Sequence, residues 1–127
     1  MTCLWLLVLE EKIMFVVVYQ FAVKPEHESQ FVKAWLNTTK GIVLHKGGLG
    51  SRLHRDKAGS FIAYAQWPDE YTFQAAKKIF MSEEYEKHRQ TMQACLDVKQ
   101  TRILHEMNVA IDYLQPFSSS QNTPLGN

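Results

Sequence analysis

The chain has 127 residues, 46% of them hydrophobic and 21% charged, with a formal net charge of +1. That length and composition fit one soluble domain with a core of its own. The near-neutral balance lacks the basic excess of a phosphate-binding surface, so nucleic acid is excluded as the expected partner.

The N-terminal MTCLWLLVLEEKIM holds a short apolar run, Leu4 to Leu9, with no basic flank and no small-residue cleavage site. It is too short to span a bilayer, and no membrane partner is expected. Met14 directly precedes a strong strand pattern, so residues 1–13 read as an extension and the domain as starting near Met14. The alternative is an added strand or helix docked on an edge. Ile13 to Val23 is rich in Val, Phe and Tyr without a turn residue, which predicts a buried strand. Lys24-Pro25-Glu26 interrupts it. Proline suits the first turn of a helix, and Glu26 and Glu28 suit its positive end. Phe31, Trp35, Thr38 and Ile42, with Val32, Leu36 and Val43 alongside, then recur at helical spacing and predict an amphipathic helix from Pro25 to His45.

Gly47, Gly48 and Gly50 follow in GGLGSR. The order here is helix, glycines, strand, whereas a dinucleotide fingerprint needs a strand before its glycines and a helix after them. A phosphate-cradling Walker loop would need Gly-Lys-Ser/Thr, and Gly50 is followed by Ser51-Arg52. The stretch reads as a corner, with glycine supplying the left-handed backbone past a helix end. Ser51 to Arg55 and Ser60 to Trp67 then alternate on either side of RDKAGS, a hairpin. Phe61, Ala63, Ala65 and Trp67 share one face of the second arm, and Ile62, Tyr64 and Gln66 the other. Pro68 ends the strand, and Asp69 caps a helix that carries Phe73, Ala76 and Phe80 at helical spacing. Ser82 restarts a helix with Glu83 and Glu84, along which Tyr85, His88 or Arg89, Met92 and Leu96 form a stripe. Val98 to Leu114 alternates again. As a strand it is long for a small domain, and its end is expected to reach beyond its own subunit. The remaining QPFSSSQNTPLGN, residues 115–127, reads as a disordered tail.

The order β-α-β-β-α-β predicts an α+β, ferredoxin-like fold with a four-stranded antiparallel sheet, helices on one face, and the first and third strands central. The bare face needs a cover. Two copies packed sheet to sheet, a dimeric α+β barrel, would supply it. The segments MFVVVYQFAVKPEHESQFVKAW, GGLGSRLHRD and FIAYAQWPDEYTFQAA resemble the antibiotic biosynthesis monooxygenase (ABM) domain, over Met14 to Leu114. The resemblance lies in the pattern of elements, including Gln-Trp at the end of the third strand, and not in a catalytic motif. It implies a homodimer and one of the family's roles: cofactor-free oxygenation of phenolic rings, haem degradation, isomerisation of signal molecules, or no catalysis.

Cofactor-free oxygenation sets physical demands. The substrate must lose a proton so that its electron-rich anion can reduce O2. This calls for an apolar pocket, a base or hydrogen-bond partner, and exclusion of bulk water. The expected catalytic residues are His88, Tyr19 and Trp67, acting on a small aromatic or quinone-like metabolite. The expected substrate contacts are Trp35, Tyr64, Phe73, Tyr85 and Met92. A partly buried His88 could titrate near neutrality. Each residue also has a plainer reading, which its type favours: Trp35 and Trp67 as core, and His88 as a boundary residue hydrogen-bonded to a neighbour. Arg52 and His54 share a face of an edge strand, where they could bind an anionic group, be solvated, or pair across a dimer interface. No cofactor is expected, and no metal either, since within one subunit His54 and His105 fall on opposite edges of the sheet and cannot join without the partner chain. Cys3 and Cys95 lack CxxC spacing, so a reducing cytoplasm is the expected setting. The haem-degrading branch carries an Asn on the first strand, a Trp in the second helical region and a His a little later. Tyr19 and Ala76 stand at the first two places, and His88 meets the third only with an insertion. Haem binding through His88 is therefore a third alternative. The second is a non-catalytic dimeric binding or stress-related module whose pocket Phe21, Trp35 and Phe73 fill.

Overall fold

The computed structural model describes residues 14–116. The predicted extension, with Cys3, and the predicted tail beyond Pro116 lie outside the described residues. The elements are β1 (Phe15–Phe21), a 3-10 turn (Pro25–His27), α1 (Glu28–Lys46), β2 (Gly50–Arg55), β3 (Phe61–Trp67), α2 (Glu70–Ala76), α3 (Glu83–Ala94), a second 3-10 turn (Val98–Gln100) and β4 (Arg102–Asn108). The sheet order is β2-β3-β1-β4 and every neighbouring pair is antiparallel. This is the predicted ferredoxin-like α+β arrangement, with β1 and β3 in the centre.

β1 is FVVVYQF, and Phe15, Val16 and Val17 are buried in succession. A strand flanked on both edges favours β-branched and aromatic residues on both faces. Proline starts the following helix as expected, but its turn is 3-10, and α1 proper begins at Glu28. There Glu28 accepts a 2.8 Å hydrogen bond from Arg55, which ties α1 to the edge strand β2. α1 ends on Gly47 at φ 83°, the left-handed conformation expected of the glycine corner. The β2–β3 hairpin closes through Asp56, which accepts from the backbone N–H groups of Gly59 and Ser60. Asp69 caps α2 by accepting from the Thr72 N–H and hydroxyl, both at 2.7 Å.

The core on the helical side falls into two clusters. One gathers Phe21, Phe31, Phe61, Ala63, Cys95 and Leu96, and the other Phe15, Val17, Trp67, Phe73 and Ala76. Tyr19 packs against both. α3 lies directly on α1, because a Cβ on Gly41 would come within 2.7 Å of Tyr85 Cβ.

Three expectations are corrected. The last strand stops at Asn108, well short of Leu114. Val109 N–H still donates to Met14 O, and there the strand it pairs with begins, so the ladder has nothing further to bond. Its other end is shortened too, since Val98–Gln100 forms a turn capped by Asp97. Phe80, expected in a helical stripe, lies outside α2 and is 85% exposed, because the helix ends at Ala76 and Met81 takes the inward place.

Candidate functional site

Where the two clusters meet, a cavity of about 180 Å³ opens between the sheet and α1. That is small against the ~300–1,000 Å³ of drug-sized ligand pockets. Its floor is Tyr19 and Phe21 of β1 with Ala63, Ala65 and Trp67 of β3. Its roof is Trp35, Thr38, Thr39, Ile42 and Val43 of α1, and Met92 of α3 closes one side. The space exists because two alanines lie between Phe61 and Trp67 on the covered face of β3. Gly48 sets one end, where a Cβ would stand 2.9 Å from Ile42 Cγ2 and 3.6 Å from the Trp67 ring.

Among the described residues the lining holds no Asp, Glu, His, Lys or Arg side chain. Two of its hydroxyls are engaged: Thr38 donates to Ala34 O at 2.7 Å, and Ser51 to Tyr64 O at 3.0 Å. Two aromatic donors are not. Trp67 Nε1 is buried and has no partner among the described residues. The Tyr19 hydroxyl makes no hydrogen bond to a described side chain or backbone group either, while its ring stacks on Phe21 with centroids 5.7 Å apart. Burial, and after it the charge of Glu106, pushes the Tyr19 phenol up to about 12. At neutral pH Tyr19 is therefore a proton donor in a hydrogen bond and not a standing base.

Of the residues expected at the site, Tyr19, Trp67, Trp35 and Met92 come together on the cavity. Phe73 does not line it. It lies in the core beside Trp67, ring edge to face at 5.4 Å. Tyr64 is on the opposite face of the sheet, in an open depression shared with Arg52, His54 and Gln66. The alternation of β3 already separates it from Trp67, so its grouping with the pocket residues is corrected. Tyr85 packs between α3 and α1, 5.7 Å from the His45 ring, and His88 stands 6.3 Å from Tyr85. α3 rests on α1 at Gly41, and neither Tyr85 nor His88 lines the cavity. His88 consequently offers neither a base nor an iron ligand to the cavity. His54 and His105 lie on β2 and β4, with β3 and β1 between them. Among the described residues no three His, Cys, Asp or Glu side chains are grouped as a metal site. Phe21 and Trp35 line the cavity without closing it. Sequence reading missed Ala63 and Ala65 as its floor, although two small residues between large aromatics at period two are a visible signal.

The family model for antibiotic biosynthesis monooxygenases matches residues 14–94. The chain belongs to this family. No curated protein matches the sequence significantly. Solved structures show the same fold for this ABM protein. A conserved protein from Methanosarcina mazei is 18% identical, with TM-score 0.60, over 79% of this chain and 96% of that one. Rv0793 from Mycobacterium tuberculosis is 12% identical, with TM-score 0.58, over 80% and 99%. SnoaB from Streptomyces nogalater, described as a cofactor-independent oxygenase, is 15% identical, with TM-score 0.53, over 84% and 99%. Among the described residues of the ABM protein no helix is long and apolar enough to cross a membrane.

Proposed function

We propose that this ABM protein is a cofactor-independent monooxygenase of a small aromatic or quinone-like metabolite. The observation that carries the reading is an apolar cavity lined by Tyr19 and by Trp67, whose buried Nε1 has no hydrogen-bond partner among the described residues. A donor left unsatisfied in a core costs about 1–3 kcal/mol, which a bound acceptor oxygen would recover. The gain grows if that oxygen becomes anionic, as it does when a hydroxyarene or quinol loses its proton before reacting with O2. Trp67 N–H, with the protonated Tyr19 hydroxyl as a second donor, would stabilise the anion, and the carbon walls would keep bulk water out. The cavity size favours a substrate of one or two fused rings.

The open face of the sheet presents Ile62, Tyr64, His105 and Met107 by register. A second copy packed on that face completes the reading as a homodimer. A cytoplasmic location belongs to the same reading and rests on Cys95, which has no disulfide partner among the described residues. The test is oxygen uptake with a panel of quinols and naphthols. Trp67→Phe should lower kcat by about 10²-fold, the usual effect of removing one such donor. If no substrate is consumed, or if Trp67→Phe and Tyr19→Phe both turn over normally, the reading fails. The lack of an acid or base among the described lining residues favours a second reading, a dimeric binding module without catalysis. Ligand binding with no O2 consumed would select it.

A further inference from the structure

Oxygenation of this kind requires the substrate to shed a proton, and among the described residues the cavity has no ionisable side chain besides Tyr19 to receive it. The search for an outlet leads to β4, beyond the stretch that the family model matches. Glu106 pairs with Val17 across the β1–β4 ladder, and Val17 faces the helices. Directly opposed residues of an antiparallel pair share a face, so Glu106 stands on the cavity side of the sheet. Tyr19 is the next residue of β1 on that face, and a diagonal cross-strand neighbour is within reach of a long side chain. The register shifts between Val18 and Tyr19, so a bulge in β4 lies beside this pair. Glu106 itself is exposed and makes no ion pair among the described residues.

We propose that Glu106 is the proton acceptor behind Tyr19, joining the dry cavity to solvent. The inference rests on the oxygenase reading above. In the step, the acidic O–H or C–H proton of the substrate passes to Tyr19 Oη while the Tyr19 proton passes to the Glu106 carboxylate. The bonding pair stays on the substrate, which becomes the anion that O2 then oxidises. The sum leaves Tyr19 protonated and Glu106 neutral until water takes its proton. The high phenol value requires the two transfers to occur together, since a free tyrosinate is disfavoured. The other described elements around Tyr19 bring no competing charge to the cavity: β3 presents Ala63 and Ala65, α1 presents Trp35 and Thr38, and α3 presents Met92. Lys46, Glu86 and Arg89 act on one another between α1 and α3.

The test has two arms. In the first, 3,5-difluorotyrosine at position 19 brings the phenol into an accessible pH range, read by fluorine NMR on the whole protein. Glu106→Gln should lower its ionisation by roughly half a pH unit or more, as expected for losing one nearby charge. A titration that does not move overturns the inference, whatever the enzyme does. In the second arm, the substrate found by oxygen uptake is used. Glu106→Gln should lower kcat by about 10²-fold with KM little changed, abolish the acidic limb of the kcat profile, and be partly rescued by Glu106→Asp. An active enzyme whose kcat and pH profile ignore Glu106→Gln overturns the relay and leaves the oxygenase reading standing. A wild-type protein that oxidises nothing on the panel defeats the oxygenase reading, and the catalytic relay with it.

Discussion

The two faces of the sheet are built from the same strands and have opposite tasks. On the covered face, β3 sets Phe61, Ala63, Ala65 and Trp67 under the helices. On the open face it sets Ile62, Tyr64 and Gln66. The covered face sets two alanines between two large aromatics and so leaves a void, while the open face carries Ile62, Tyr64 and Gln66 and is left partly exposed. Packing around a gap makes the first a candidate site. Incomplete burial makes the second a candidate interface. The comparison can be broken by substitutions whose effects should rank by face.

The largest loss is expected from Phe31→Ala. Phe31 is fully buried, with its ring 5.3 Å from both Phe21 and Phe61. Urea denaturation should show a loss of about 3–5 kcal/mol. A much smaller loss would mean that the covered face is not a packed core at that end of the cavity.

Tyr19→Phe gives a smaller effect that appears only in alkali. The phenol is raised from 10.0 to about 12 in the folded chain, first by burial and then by Glu106. A group with a raised folded value contributes stability that is fully present below its unfolded value and is lost as pH rises through the folded one. Between pH 10 and 12 the wild-type chain should lose about 2–3 kcal/mol that Tyr19→Phe does not. Parallel stability–pH curves for the two would place Tyr19 in water.

The smallest effect on folding belongs to the open face. Tyr64→Ser should change the stability of a single subunit by only about 0.5 kcal/mol. It should nonetheless shift sedimentation toward the monomer if two copies pair there. Unchanged sedimentation of a stable dimer would move the interface elsewhere.

The sequence revealed the fold better than the site, for physical reasons. Strand period, the Pro25 start, the Gly47 corner and the Asp69 cap are local signals, and each dictates backbone geometry within a few residues. Trp35 and Met92 reach the cavity because their helices follow the apolar stripes expected of them. His88 went astray because the stripe on α3 fixes which side is buried but not against what. Gly41, more than forty residues away, decides that it is α1. Tyr64 was separable by alternation alone. Ala63 and Ala65 escaped notice because a cavity is made by what residues lack. Glu106 could be found only through the register between the first and last strands, which no local pattern records.

The void between the two clusters has a practical consequence. A molecule that fits there would bridge both halves of the interior and so become part of what holds the chain folded. Any true ligand should therefore announce itself as a rise in melting temperature, about 2.7 kcal/mol of added stability at a hundred times its Kd. A thermal-shift screen could find the natural metabolite before any reaction on it has been observed.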